Sequence, residues 1–188
     1  MILWGRLSIC GRLAIGLLIM FSSICHAQQP AAPSWRQTLD ARLPYYGHRN
    51  WIVIADSAYP LQSGIGIETI LSNENQLETV QQVLNVLSSA RHVRPVIYTD
   101  KELSFVPESD AFGIGVYRHL LTGLFAQQKV AALPHEEIIH RLEEAAKSFH
   151  VLIIKTNMTL PYTSVFFELR AAYWGDEAEE RLRKAMPH

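Results

Sequence analysis

Cysteine is nearly missing from this 188-residue chain, and the two present, Cys10 and Cys25, both lie in its first 27 residues. Those residues read as a removable export leader. Arg6 and Arg12 supply positive charge and no acidic residue precedes Asp40. An apolar run over residues 13–21 is broken only by Gly16, and Ser22-Ser23-Ile24-Cys25-His26-Ala27 follows, ending in small residues that suit cleavage at Ala27-Gln28. A spanning helix needs about 20 apolar residues, and this run is shorter. Ile24, where a lipoprotein signal has a small residue, argues against lipid attachment at Cys25. The expectation is an exported product, periplasmic or secreted, with no membrane partner after cleavage. It has no thiol, hence no disulfide, cysteine nucleophile or cysteine-held metal.

A surplus of positive charge is also missing. The chain has 17 Lys+Arg against 18 Asp+Glu, and loss of Arg6 and Arg12 moves the formal charge from −1 to about −3. A nucleic-acid partner would want a basic face, so none is expected. There is no G-x-S-x-G nucleophile elbow and no Gly-rich phosphate loop. Gly64-Ile65-Gly66-Ile67-Glu68 lacks the third glycine of a dinucleotide fingerprint. His135 and His140 are five apart, off the i, i+4 spacing that pairs two metal ligands on a helix face. No metal and no cofactor are expected.

What is present alternates between apolar runs and helical periods. Trp51-Ile52-Val53-Ile54-Ala55 and Val151-Leu152-Ile153-Ile154 are continuous apolar runs, suited to strands covered on both faces. Pro95-Val96-Ile97-Tyr98 and Ser164-Val165-Phe166-Phe167-Glu168-Leu169 give two more strands. Helical spacing marks residues 73–91 and 111–128. It recurs in a helix opened by Pro134-His135-Glu136-Glu137, with acids in the first turn as the macrodipole favours. A lead-in helix over residues 35–43 ends at Pro44, and residues 176–186 form a charged terminal helix. The pattern implies a single three-layer α/β/α domain with a mostly parallel central sheet. Its division is a leader at 1–27, linker and lead-in helix at 28–43, the domain at 44–172, and a charged tail at 173–188.

Candidate chemistry collects at strand ends. Asp56 follows the Trp51 strand, where open α/β sheets place their ligands, though a turn-forming or capping role fits it equally. His48 and Arg49 precede the same strand. At about 3.3 Å per residue, His48 and Asp56 are too far apart to pair along a straight strand, and would meet through loops or across a subunit interface. His135 opens a helix, and Tyr162 and Ser164 precede the last strand. Such His, Asp, Tyr and hydroxyl groups suit proton transfer on a polar small molecule.

Three segments carry a likeness to a known family. Gly47-His48-Arg49-Asn50, the apolar strand, Ala55-Asp56-Ser57-Ala58 and Pro60 resemble the Gly-His, strand, Ala-Asp-Ala and Pro pattern of the ribose pyranase / fucose mutarotase (RbsD/FucU) family. Leu133-Pro134-His135-Glu136-Glu137 resembles a Ser-His-Glu-Glu stretch of ribose pyranases. Pro161-Tyr162-Thr163-Ser164-Val165-Phe166 resembles the family's Pro-Tyr-Ala/Gly-Asn-x-Ile-Leu. The resemblance implies an RbsD-like fold in a homo-oligomer whose neighbouring subunits complete each site. It also implies a monosaccharide ligand and cofactor-free interconversion of its anomers or ring forms. His48, Asp56 and His135 would be the catalytic residues, and Tyr162, Ser164 and Arg49 would bind substrate. Ser164 stands where the family has Asn, and a charged tail follows where ribose pyranases end. Two other readings stay open: a non-catalytic carbohydrate-binding or envelope interaction protein, and a metal-assisted enzyme using His48, Asp56 and His135.

Overall fold

The computed structural model describes residues 33–187, so the expected leader lies outside the described residues. Within them the chain folds as α1 (Trp35–Arg42), β1 (Trp51–Ala55), β2 (Ile67–Leu71), α2 (Gln76–Ser89), β3 (Val93–Asp100), α3 (Ile114–Leu124), β4 (Val130–Leu133), α4 (His135–Ala146), β5 (Val151–Lys155), β6 (Val165–Ala171) and α5 (Asp176–Ala185). Short 3-10 turns follow α1 at Leu43–Tyr45 and β3 at Lys101–Ser104.

The six strands form one sheet in the order β2-β5-β1-β6-β3-β4. β1, β2 and β5 pair in parallel, as do β3 and β4, and β6 runs antiparallel to both β1 and β3. The reversal of β6 puts its first residues beside the last residues of its neighbours: Val165 is opposite both Ile54 and Thr99. That register gathers the site.

Alternation along the strands feeds two cores. Ile52, Ile54, Ile97, Leu152, Ile154 and Phe167 face α1, α2 and α3, which contribute Leu39, Val80, Leu84, Ile114 and Leu121. Trp51, Val53, Val151, Ile153 and Phe166 face α4 through Ile138 and Leu142. The result is the expected three-layer α/β/α domain. Phe166 and Phe167, both fully buried, anchor opposite faces of one strand, each burial stabilising by about 1.5–3 kcal/mol.

Two strands were not evident from the sequence, β2 and β4, and they are the two edges of the sheet. The stretch around Gly64 and Gly66 leads directly into β2. Gly66 passes against the carbonyls of Ala146 and Phe149 at the end of α4, leaving no room for a Cβ. Its own carbonyl accepts the Val151 N–H at 2.8 Å. Ser34 starts α1 with a capping box, its hydroxyl taking the Gln37 N–H while the Gln37 side chain takes the Ser34 N–H. The tail helix α5 buries none of its residues and meets the sheet through Arg94 and Asp176, 3.4 Å apart. Among the described residues, no helix is long and apolar enough to cross a membrane.

Candidate functional site

Four strand ends converge at the carboxyl edge of the parallel strands. β1 delivers Asp56, β3 ends on Asp100, β4 runs through Pro134 into His135 at the start of α4, and Ser164 precedes β6. Asp100 is opposite Leu133 in the ladder, which fixes the β3 terminus next to the α4 start.

The chemistry there centres on a pair, His135 and Asp100, the second of which is not among the sequence candidates. Asp100 is 2% exposed, and its Oδ1 is 3.0 Å from His135 Nδ1. Its Oδ2 is buried without a hydrogen-bond partner among the described residues. The Asp100 carboxyl is pushed up to about 6, chiefly by burial, with the His135 contact opposing the shift and the nearby Glu102 and Asp56 carboxylates adding to it. With Asp100 ionised, Nδ1 carries the proton that bridges the pair, so Nε2 of the neutral ring holds the free lone pair.

His135 is held at its backbone too. Pro134 precedes α4 and offers no side-chain cap. Glu102, in the 3-10 turn after β3, takes that place: its two oxygens accept the His135 N–H at 3.1 and 3.0 Å. A carboxylate at a helix N-terminus is favoured by the dipole. The His135 ring meets Tyr162 edge-on, with centroids 5.7 Å apart and planes at 80°. Tyr162 has a backbone φ of 56° and is 41% exposed. This is a left-handed conformation uncommon for a bulky side chain.

Asp56 forms the turn that was one of its two expected roles. Its Oδ1 accepts the Ala58 N–H at 2.8 Å, making a turn, and its Oδ2 faces Ser164 Oγ at 3.5 Å. The turn leaves the second oxygen and the half-buried carboxylate on the site side. Behind this edge a buried polar network fixes the approach to β6. Thr156 donates to the Ala55 carbonyl at 3.0 Å, and Tyr117 donates to the Thr163 carbonyl at 2.8 Å. Gln76 donates to both the Tyr117 oxygen, at 3.2 Å, and the Thr163 carbonyl. Thr163 is fully buried, so the backbone presenting Tyr162 and Ser164 is held by satisfied groups.

The structure therefore brings Asp56, His135, Tyr162 and Ser164 together and adds Asp100 and Glu102. Asp100 carries the same signal as Asp56, an acid ending an apolar strand. The apolar stretch of that strand ends at Tyr98, two residues before the acid. His48 and Arg49 lie elsewhere in the same chain. Both are exposed, before β1, where the Arg49 N–H donates to the Leu169 carbonyl at 2.9 Å. The eight-residue separation of His48 and Asp56 corresponds to about 26 Å of extended chain. His48 and Arg49 instead line a cavity of 480 Å³ with residues of β3, β6 and α5. His140 is exposed on α4, apart from the site. Among the described residues, no three His, Cys, Asp or Glu side chains are grouped to hold a metal ion.

Comparison with known proteins bears on this arrangement. The model of the RbsD / FucU transport protein family matches residues 34–169. A structure of Bacillus subtilis RbsD complexed with D-ribose is similar, at 22% identity and a TM-score of 0.50. The match covers 76% of this chain and 98% of that one. A fucose mutarotase in complex with L-fucose from Streptococcus pneumoniae is 22% identical, with a TM-score of 0.46, over 71% of this chain and 91% of its own. FucU from Bifidobacterium longum is 16% identical, with a TM-score of 0.49, over 71% and 92%. No curated protein matches the chain. At 22% identity the RbsD structure speaks to the fold alone, and the chemistry is argued from this chain's own side chains.

Proposed function

Given that the chain belongs to the RbsD / FucU transport protein family, we propose that it interconverts the anomers or ring forms of a monosaccharide by cofactor-free acid–base catalysis. The observation that carries this reading is the Asp100–His135 pair, set beside Asp56 and Tyr162 at the carboxyl edge of the sheet. The solved neighbours supporting a sugar ligand are the D-ribose complex of RbsD and the L-fucose complex of the mutarotase.

Ring opening needs one proton removed and one delivered. A base takes the proton of the anomeric hydroxyl as an acid protonates the ring oxygen. The bond between the anomeric carbon and the ring oxygen breaks, and the open-chain carbonyl forms. After rotation, closure on the other face returns both protons, so the protein ends unchanged. His135 is suited to the first transfer: Asp100 holds its Nδ1–H and leaves Nε2 as acceptor, and it stabilises the ring once protonated. Asp56 and Ser164 take up sugar hydroxyls through acceptor and donor oxygens, and the Tyr162 ring packs against the sugar.

His48 enters this scheme from a second copy of the chain. In one copy it is at the far end of β1 from Asp56, so a homo-oligomer that sets the amino edge of one sheet against the carboxyl edge of another supplies the second proton-transfer group. Arg49 accompanies it as a substrate-binding residue.

Exchange NMR tests the proposal. Protein added to an aldose at equilibrium should raise the rate of saturation transfer between α and β anomers, with ribose and fucose as first substrates. His135→Ala should lower the accelerated rate about 10²–10⁴-fold. No acceleration for any common aldose or its acidic derivatives would end the isomerase reading and leave the non-catalytic sugar binder.

A further inference from the structure

The cavity at the amino edge of the sheet is lined by four arginines, Arg49, Arg94, Arg170 and Arg183, together with His48 and Trp174. Two acids, Asp176 and Glu179, also line it, so positive charge exceeds negative there although the chain as a whole has a net charge of −1. Arg94 and Arg170 are direct cross-strand partners in the β3–β6 ladder. Like charges in that position repel and weaken the sheet, so the fold alone gives no reason to put them there.

Three of the four are loosely paired or have no acid partner. Arg94 reaches Asp176 only at 3.4 Å, and Asp176 is almost fully exposed. Arg183 pairs with Glu179 at 2.7 Å within the exposed tail helix. Arg170 shares Glu168 with the Tyr98 hydroxyl. The Arg49 guanidinium rests over the Phe149 ring at 5.6 Å and has no ion pair among the described residues. The exposed Arg94 and Arg183 pairs contribute little and exchange easily for a better anion, while the largely buried Glu168 holds Arg170 in place at the cavity wall. Guanidinium forks match carboxylate and phosphate oxygens in pairs. Trp174 is half exposed beside them, and its indole N–H is engaged by Glu179 at 2.8 Å. This leaves an aromatic surface of the kind against which a sugar ring packs.

We propose that the monosaccharide this protein acts on is an acidic one, bearing a carboxylate or phosphate that the Arg49–Arg94–Arg170–Arg183 cluster binds. This rests on the isomerase reading, because His48, the group supplied by a second copy, lies in the same cavity. The tail is then a specificity element: Trp174 and Arg183 belong to residues 173–188, beyond the family match that ends at 169.

Calorimetric titration of the purified protein with matched pairs tests it: glucuronate against glucose for the carboxylate, ribose 5-phosphate against ribose for the phosphate. The acidic member of one pair should bind at least about tenfold tighter, since hydrogen bonds to charged groups exceed neutral ones by that order. The advantage should shrink with added salt and collapse in Arg94→Gln/Arg170→Gln. The salt series on the unmodified protein stands even if the double variant folds poorly. Equal affinity within both pairs, or an advantage indifferent to salt, overturns the proposal, as does inorganic phosphate or acetate binding as tightly as the acidic sugar. Exchange NMR on the same four sugars separates the two ideas. A preference for acidic sugars without faster anomer exchange sinks the isomerase reading alone. Faster exchange of neutral sugars with no acidic preference sinks this one alone.

Discussion

Asp100 is the side chain at which stability and chemistry pull in opposite directions. A carboxyl 2% exposed, with one oxygen unpartnered among the described residues, is uncomfortable as an anion, which is why its pKa rises from 3.8 to about 6. Below about pH 4 the group is protonated in folded and unfolded chains alike, and its contribution to stability is fully present. Between the unfolded value and about 6 the folded chain holds the extra proton, so that contribution is lost as pH rises through this window. At about 1.4 kcal/mol per unit, the loss is on the order of 3 kcal/mol. Asp100→Asn should therefore leave the chain as stable as the parent at pH 4 and more stable at pH 8. Urea unfolding across that range would show it as a widening gap in midpoint. The same change should cut anomer exchange about 10²-fold or more, because an amide can donate to Nδ1 and so allow the wrong tautomer, and it has no charge to stabilise the protonated ring. A variant equal to the parent in both pH dependence and exchange would remove Asp100 from the mechanism.

Between elements, the coupling that matters runs from the turn after β3 to the start of α4. Glu102 caps α4 through the His135 N–H and so positions His135. Glu102→Ala should cost about 1 kcal/mol of stability, as lost caps do, and should lower kcat more than it raises KM. Glu102→Gln, which keeps an acceptor oxygen, should recover most of kcat. A change in KM alone would mean that Glu102 binds substrate rather than orienting His135. The same element level explains what the sequence made legible. β1, β5 and β6 are covered on both faces and read as apolar runs, and α2, α3 and α4 each pack one face and show their period. The edge strands are only half covered: Ile67-Glu68-Thr69-Ile70-Leu71 is interrupted by two polar residues, and Val130-Ala131-Ala132-Leu133 is apolar but only four residues long with two small alanines, too short a run to mark a strand. Asp56 and His135 were legible because they flank clear elements. Asp100 and Glu102 were not, because β3 runs two residues past its apolar stretch and the Glu102 contact joins positions 33 apart. A cap formed by such a contact leaves no local pattern to read.

At the scale of the whole molecule, the proposed mechanism draws on two ends of one fold, His48 at one and His135 at the other, and asks an assembly to join them. β1 sets His48 and Asp56 beyond its opposite ends, and the structure puts His48 with the arginine cavity. If a second copy supplies His48, then His48→Ala and His135→Ala damage different contributions to the same composite site, and each variant alone should be close to inactive. Mixed and reassembled in equal amounts, they should form some sites in which an intact His48 from one copy meets an intact His135 from another. Random mixing makes that about one quarter of all sites. Exchange rates measured before and after dissociation and reassembly of the mixture should rise to about that fraction of the parent rate. A site contained in one chain has no route to recovery, because no chain in the mixture carries both histidines. Recovery therefore reads the assembly directly, independently of which sugar is used, and a rate that stays at the level of the separate variants would return the proton-transfer role to groups of a single copy.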